Sequence, residues 1–263
     1  MSAFSEGAPC WADASLPDLE AGQRFYGELL GWTFQDTGEE FGHYTMALRD
    51  GKNAAALMGK MDPSMPTAWS VYLATGDAAK TTAAIREAGG QVVFGPDVVG
   101  DVGTMAGAVD PGGSFFGVWQ PDTHPGFGIV NAPGGFCWAE NHTKDAAAAD
   151  PFYEKVFGYS GQQIGDGEQF DYKVWSVAGQ ADPVAGRMQR GDLPADAPSA
   201  YRVYFVVEDC DASADVVRRL GGRVIGEPAD SPFGRMAEVA DDQGATFAII
   251  DVTRRVGPPP AGA

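Results

Sequence analysis

Thiol and imidazole are scarce in this chain: three cysteines and three histidines stand among 263 residues. Cys10, Cys137 and Cys210 are odd in number and form no CxxC pair. A disulfide framework is therefore not expected, and small buried side chains are. His43, His124 and His142 show no metal-ligand spacing and are expected in structural or surface roles. Basic residues are scarce too, 18 Lys and Arg against 36 Asp and Glu, for a formal charge of -18. Such a field repels nucleic acid and anionic membrane, so neither is an expected partner. It favours a cationic ligand, although an acidic surface kept for solubility explains it more simply. No apolar run is long enough to cross a bilayer, and the first residues hold neither a basic nor an apolar leader segment. A cytoplasmic protein is the expectation.

What the chain has is a core and a repeat. Hydrophobic residues make up 44% of it, enough for one large domain or two small ones. Cys10-Trp11-Ala12-Asp13 returns as Cys137-Trp138-Ala139-Glu140, and Phe25-Tyr26 as Phe152-Tyr153 in the same register. Further on, Ala68-Trp69-Ser70-Val71-Tyr72-Leu73 matches Ala200-Tyr201-Arg202-Val203-Tyr204-Phe205, Gly89-Gly90 matches Gly221-Gly222, and Asp110 matches Asp241. The chain is a tandem duplication. Residues 121–135 are dense in Pro and Gly, which suits a linker. The expected boundaries are 1–128, 129–256 and a disordered tail over 257–263.

Within the first half, a strand over 10–14 precedes a helix whose apolar positions Leu19, Phe25, Tyr26, Leu29 and Leu30 share a face, stopped by Gly31. Strands are predicted over 32–35, 43–48 and 54–59. The same order follows again, with a strand over 69–74, a helix begun at Asp77 and ended at Gly89-Gly90, and strands over 91–94, 102–109 and 114–119. Asp110-Pro111-Gly112-Gly113 supplies the last turn. Each half thus holds two β-α-β-β-β modules, four in the chain, in an α+β fold. Pro151 falls inside the second half's first helix. The pair Asp150-Pro151 reads as a cap and first residue, so this helix is expected to start late or after an irregular turn over 146–149.

The succession of a strand, Leu16-Pro17-Asp18, a helix closing in Phe25-Tyr26-Gly27-Glu28-Leu29-Leu30-Gly31-Trp32, then Gly89-Gly90 and Asp110-Pro111-Gly112-Gly113-Ser114-Phe115, resembles the vicinal-oxygen-chelate superfamily. This is the glyoxalase, bleomycin-resistance and dioxygenase group. The similarity spans about residues 8–120 and 135–252 and implies two tandem domains, each with a curled eight-stranded mixed sheet. The Cys-Trp start is similar to a branch of glyoxalase-like antigens and antibiotic-pathway proteins often labelled hydroxylases. Fold membership leaves the reaction open, because the superfamily includes metalloenzymes, thiol transferases and drug-binding proteins.

Family metalloenzymes carry His and Glu ligands on the first and last strands of their modules. By that resemblance, the first-strand positions fall on Trp11 and Trp138, and those of the second modules on Ser70 or Trp69 and on Arg202 or Tyr201. The final-strand Glu falls on Gly117 and Ala248, and the mid-domain strand offers Leu57 and Arg187. Indole gives a metal no lone pair, so no metal and no cofactor is expected.

If strand alternation holds, Trp11, Asp13, Ser70, Tyr72, Phe115, Gly117 and Trp119 face one trough. Trp138, Glu140, Arg202, Tyr204, Thr246 and Ala248 face the other. Aromatic walls over a carboxylate suit a planar organic ligand, with Asp13 and Glu140 as orienting acceptors, and Gly117 and Ala248 leaving room. Trp11 and Trp138 serve equally well as core residues sealing the modules. The leading expectation is a metal-independent binder of an aromatic metabolite or antibiotic-like compound. The alternatives are a glyoxalase-like or hydroxylase-like enzyme acting on a dicarbonyl or polyketide-type substrate, and a regulatory protein without a ligand. The two halves are expected to pair within one chain, giving a monomer or else a homodimer, and to differ in their pockets.

Overall fold

The computed structural model describes residues 4–257 apart from 169, 181, 195 and 196. The tail expected over 257–263 lies outside the described residues from 258 onward. The first half runs β1 (Pro9–Leu16), α1 (Leu19–Leu30), β2 (Thr33–Asp36), β3 (Thr45–Arg49), β4 (Lys52–Gly59), β5 (Ala68–Ala74), α2 (Ala78–Glu87), β6 (Gln91–Val99), β7 (Gly103–Val109) and β8 (Phe115–Pro121). These strands form one eight-stranded sheet in the order β2-β3-β4-β1-β5-β8-β7-β6. Strands β1 and β5 pair antiparallel at its centre, each flanked by a parallel neighbour from its own module.

The second half repeats this with β9 (Phe136–Thr143), α3 (Ala146–Phe157), β10 (Ser160–Ile164), β11 (Tyr172–Ser176), β12 (Ala185–Gln189), β13 (Ala200–Val206), α4 (Cys210–Arg219), β14 (Arg223–Val224), β15 (Ala229–Ser231), β16 (Gly234–Ala240) and β17 (Thr246–Asp251). Its sheet has nine strands where eight were expected, because the counterpart of β6 is broken into β14 and β15, both paired with β16. Gly226, Glu227 and Pro228 fall in that break, and glycine and proline hold a ladder poorly.

Helix ends follow local chemistry. Asp18, Asp77, Asp145 and Asp209 each accept a hydrogen bond from a backbone N–H of the first turn. Gly31 (φ 67°) and Gly158 (φ 69°) supply the left-handed ends of α1 and α3. The expectation for Pro151 fails. Helix α3 starts at Ala146, capped by Asp145, and runs through the proline to Phe157. Asp150 does not cap; its carboxylate pairs with Lys173 (2.6 Å) and Arg187 (3.1 Å).

One sheet face carries the helices and the core. Ala12, Ala14, Val71, Leu73, Phe116 and Val118 are all fully buried there. The two halves share that core and interlock through their repeated segments. The Tyr26 hydroxyl donates to Asp241 (2.9 Å) in the other half's turn, and the Tyr153 hydroxyl donates to Asp110 (3.0 Å) in return. A Cβ on Gly90 would stand 2.7 Å from the Phe152 ring, and one on Gly222 would stand 3.0 Å from the Phe25 ring. The glycine pair and the Phe-Tyr pair thus meet across the halves, where only glycine lets the ring approach.

Candidate functional site

The other face of each sheet builds a trough. In the first, Trp11, Asp13, Ser70 and Tyr72 come together through the β1–β5 register, where Trp11 opposes Tyr72 and Asp13 opposes Ser70. The Trp11 indole donates to Tyr44 (2.8 Å), and the Tyr44 and Tyr72 hydroxyls both donate to Asp13 Oδ2 (3.0 and 2.9 Å). Asp13 is 3% exposed, and burial pushes its carboxyl up to about 6 against the pull of the two phenols.

This trough is filled. The linker residue His124 stands edge-on to Trp11, ring centroids 4.5 Å apart, and beside Trp119 at 5.7 Å. The Trp119 indole donates to the His124 carbonyl (3.0 Å). Phe127 packs against Trp11 at 5.5 Å. Gly117 does not leave the room expected of it: a Cβ there would stand 2.1 Å from Tyr72 Cδ1, so the Tyr72 ring already covers that strand.

The second trough has the same plan and a different content. The Trp138 indole donates to Tyr172 (3.0 Å), and the Tyr204 hydroxyl donates to Glu140 Oε2 (2.6 Å). Glu140 also meets His142 Nε2 at 3.0 Å, and His142 Nδ1 meets Arg190 Nη1 at 2.9 Å. A guanidinium only donates, so Nδ1 accepts and the proton sits on Nε2, directed at Glu140. Burial would raise the Glu140 carboxyl, but the hydrogen bonds from His142, Tyr204 and Tyr172 outweigh it and hold it below the usual range.

Beside Glu140 opens a cavity of about 480 Å³, walled by Trp138, Tyr172, Val174, Tyr204, Met236 and Ile250 among others. Cys137 also lines it, and burial pushes that thiol up to about 12, so it is no ready nucleophile. Of the residues expected in this trough, Trp138, Glu140 and Tyr204 line the cavity. Arg202 and Ala248 do not. Arg202 opposes Glu140 across β9 and β13 and reaches toward Glu238 (3.9 Å), while Ala248 is buried between Tyr204 and Glu238 in the ladder. The expected open space at Ala248 is thus under the cavity wall.

Sequence reasoning missed four participants. Tyr44 and Tyr172 come from β3 and β11 or their edge, and nothing in their local pattern marked them. His142 was expected in a structural or surface role; it lies inside β9, two residues from Glu140 and so on the same face. His124 was expected as a linker residue and is one, but its side chain enters the trough. His43 was expected on a strand; it sits at φ 59° before β3 and pairs with Asp36 (2.8 Å) at the surface.

The resemblance implies a divalent metal on this face, and the donors present do not fit one. Trp11 and Trp138 spend their indole N–H groups on tyrosines. The register places Ser70 and Arg202 on the trough side, while Trp69 and Tyr201 are buried on the helix side. Leu57 is buried there too, and Arg187 reaches Asp150 and Asp171. Among the described residues, no three of His, Cys, Asp and Glu converge as a ligand group.

Comparison with known proteins agrees with this architecture. The family model "Glyoxalase/Bleomycin resistance protein/Dioxygenase superfamily" matches residues 12–118. The chain is 37% identical to the anthracycline biosynthesis protein DnrV of Streptomyces peucetius, over 96% of each chain. It is 36% identical to the putative glyoxylase CFP32 of Mycobacterium bovis, over 95% of this chain and 96% of that one. Among solved structures it resembles a Mn(II)-bound glyoxalase of Novosphingobium aromaticivorans (TM-score 0.63, 15% identity, 98% and 89% covered). It also resembles the 2,3-dioxygenase LapB of Pseudomonas sp. KL28 (TM-score 0.65, 15% identity, 94% and 93% covered). With two relatives matched along nearly their whole length and the tandem sheets of the fold in place, this chain belongs to the glyoxalase/bleomycin resistance protein/dioxygenase superfamily.

Proposed function

We propose that this protein binds a small, flat aromatic molecule in the cavity of its second half, without a metal, and sequesters or presents it. The observation that carries this reading is the cavity itself: about 480 Å³ with walls of Trp138, Tyr172, Tyr204, Phe233, Met236 and Ile250 and a single buried carboxylate, Glu140. That combination gives a planar ligand stacking surface and one orienting acceptor. The relative named for anthracycline biosynthesis supports the ligand class, since anthracyclines are fused-ring aromatics. The protein acts as a monomer in the cytoplasm, its two halves supplying each other's partner surface, with neither nucleic acid nor membrane involved. No helix among the described residues is long and apolar enough to cross a membrane.

The test is a panel of polycyclic aromatics followed by quenching of tryptophan fluorescence and by thermal shift. Binding by flat fused rings is expected; silence across the panel in both readouts sinks the reading. One observation favours an enzyme instead: Glu140 at the cavity wall is backed by the imidazole of His142, a pairing that suits acid–base work. In that case Glu140→Gln lowers turnover of a dicarbonyl or polyketide-type substrate by about 10²- to 10⁴-fold. As a binder, the same variant loses only the affinity of one hydrogen bond.

A further inference from the structure

The chain Glu140–His142–Arg190 has no counterpart in the first half. The residue that stands for His142 there is Ser15, whose hydroxyl is buried with no hydrogen-bond partner. Among the described residues Asp13 receives only phenols, while Glu140 receives two phenols and an imidazole whose own orientation is fixed from behind by a guanidinium. Arg190 is in turn held by Asp192 (2.7 Å) at the surface.

Every element packed around Glu140 contributes to this arrangement. Strand β9 brings His142, β11 brings Tyr172, β13 brings Arg202 and Tyr204, β16 brings Glu238, and the end of β12 leads to Arg190. The charges also come close to balance. Glu140, Asp182 and Arg255 line the cavity, and Glu238, Arg190 with its partner Asp192, and Arg202 stand behind its wall, four acids against three bases in a protein whose total is -18. A site this near to balance pulls on a cation far less than the outer field does, so a neutral hydrogen-bond donor competes for it.

We propose that His142 and Arg190 are positioning residues that keep Glu140 an acceptor-only group, so that the cavity selects neutral flat aromatics bearing a hydroxyl. This rests on the binding reading above and adds the feature by which one aromatic is preferred to another. The ligand's hydroxyl donates to Glu140 while its rings lie among Trp138, Tyr172 and Tyr204. A donor to a charged acceptor forms one of the stronger hydrogen bonds available to a protein.

The test compares 2-hydroxyfluorene with fluorene, and both with the ammonium compound 2-aminomethylfluorene, by calorimetry from pH 5 to 8. The wild type is expected to hold the hydroxyl compound about ten-fold or more tighter than fluorene throughout that range. Glu140→Gln removes the preference, bringing the two affinities together. In His142→Gln the preference survives at pH 8 and fades as pH falls, because the carboxyl has lost the imidazole that kept it ionised, and Arg190→Gln, which frees the orientation of that imidazole, gives the same trend more weakly. Profiles that match the wild type in both variants overturn the positioning role, and tighter binding of the ammonium compound overturns the neutral-hydroxyl selection.

Carboxyl ¹³C NMR of the ligand-free protein gives a readout that binding does not enter. Glu140 is expected to titrate below the ordinary glutamate range in the wild type and to move upward in His142→Gln. A Glu140 signal that does not move overturns the proposal even if fluorenes bind. If neither fluorene binds the wild type, the binding reading falls with the ligand selection, while the NMR titration still decides the role of His142 and Arg190.

Discussion

The Phe127 ring lies flat on Phe136, centroids 4.4 Å apart and planes within 10°. The first belongs to the linker that fills the first trough, the second begins the strand that carries Trp138 and Glu140 into the other. One stacked pair therefore closes one trough and anchors the floor of its neighbour. Phe127→Ala removes a ring that is 7% exposed and is expected to cost about 3–5 kcal/mol. It also unseats the plug over Trp11, so chemical denaturation and ligand stoichiometry together check it: lower stability, and a second, weaker aromatic site where the wild type has one. Unchanged stability contradicts the packing role.

Asp13 and Glu140 occupy equivalent places and shift in opposite directions. For Asp13 the folded carboxyl titrates near 6 and the unfolded one near 3.8, so between those values the folded state binds more protons. Stability from this group is therefore present at low pH and is lost as pH rises from about 4 to 6, by about 3 kcal/mol in all. Asp13→Asn removes the ionisation. Its stability relative to the wild type is expected to improve by about that amount between pH 4 and 7, read from urea midpoints at each pH. A difference that does not vary with pH refutes the assignment.

The reciprocal bonds Tyr26–Asp241 and Tyr153–Asp110 lock the halves together. Tyr26 also accepts from the Trp69 indole, and Asp110 also accepts from Asn141. Tyr26→Phe takes one hydrogen bond from the Asp241 carboxylate and strands a buried indole N–H, at an expected cost of about 1–3 kcal/mol, and Tyr153→Phe takes one of the hydrogen bonds from Asp110 and costs an amount at the lower end of that range. The two sites share no partner, so the double variant is expected to lose the sum of the single losses. Thermal unfolding of the three variants decides it; a single variant as stable as the wild type argues that the hydroxyl is dispensable.

Much of this fold was readable in the repeated residues. Gly31 announced the end of α1, Asp77 the start of α2, and Asp110-Pro111-Gly112-Gly113 its turn, since each uses local backbone chemistry that a sequence displays directly. What Phe25-Tyr26 and Gly89-Gly90 are for was not readable, because their partners lie in the opposite half. The same limit governs the site. Trp11, Asp13, Tyr72, Trp138, Glu140 and Tyr204 were found by strand alternation, which fixes a face. Tyr44 and Tyr172 reach those carboxylates from strands whose register against β1 and β9 no local pattern supplies. Gly117 was misjudged for a related reason: a missing side chain means space only if no neighbour's ring lies over it, and Tyr72 does. Pro151 was misjudged because Asp150 seemed to be its cap, while Arg187 and Lys173, distant in sequence, hold that carboxylate.

One trough holds a cavity of ligand size, and the linker closes the other. Calorimetric titration of the full chain with the tightest-binding aromatic of the panel tests it most directly, run on the wild type and on Met236→Trp, which intrudes on the cavity. One site per chain is expected in the wild type, and markedly weaker binding in Met236→Trp. Two equivalent sites, or binding that Met236→Trp leaves untouched, would contradict the account.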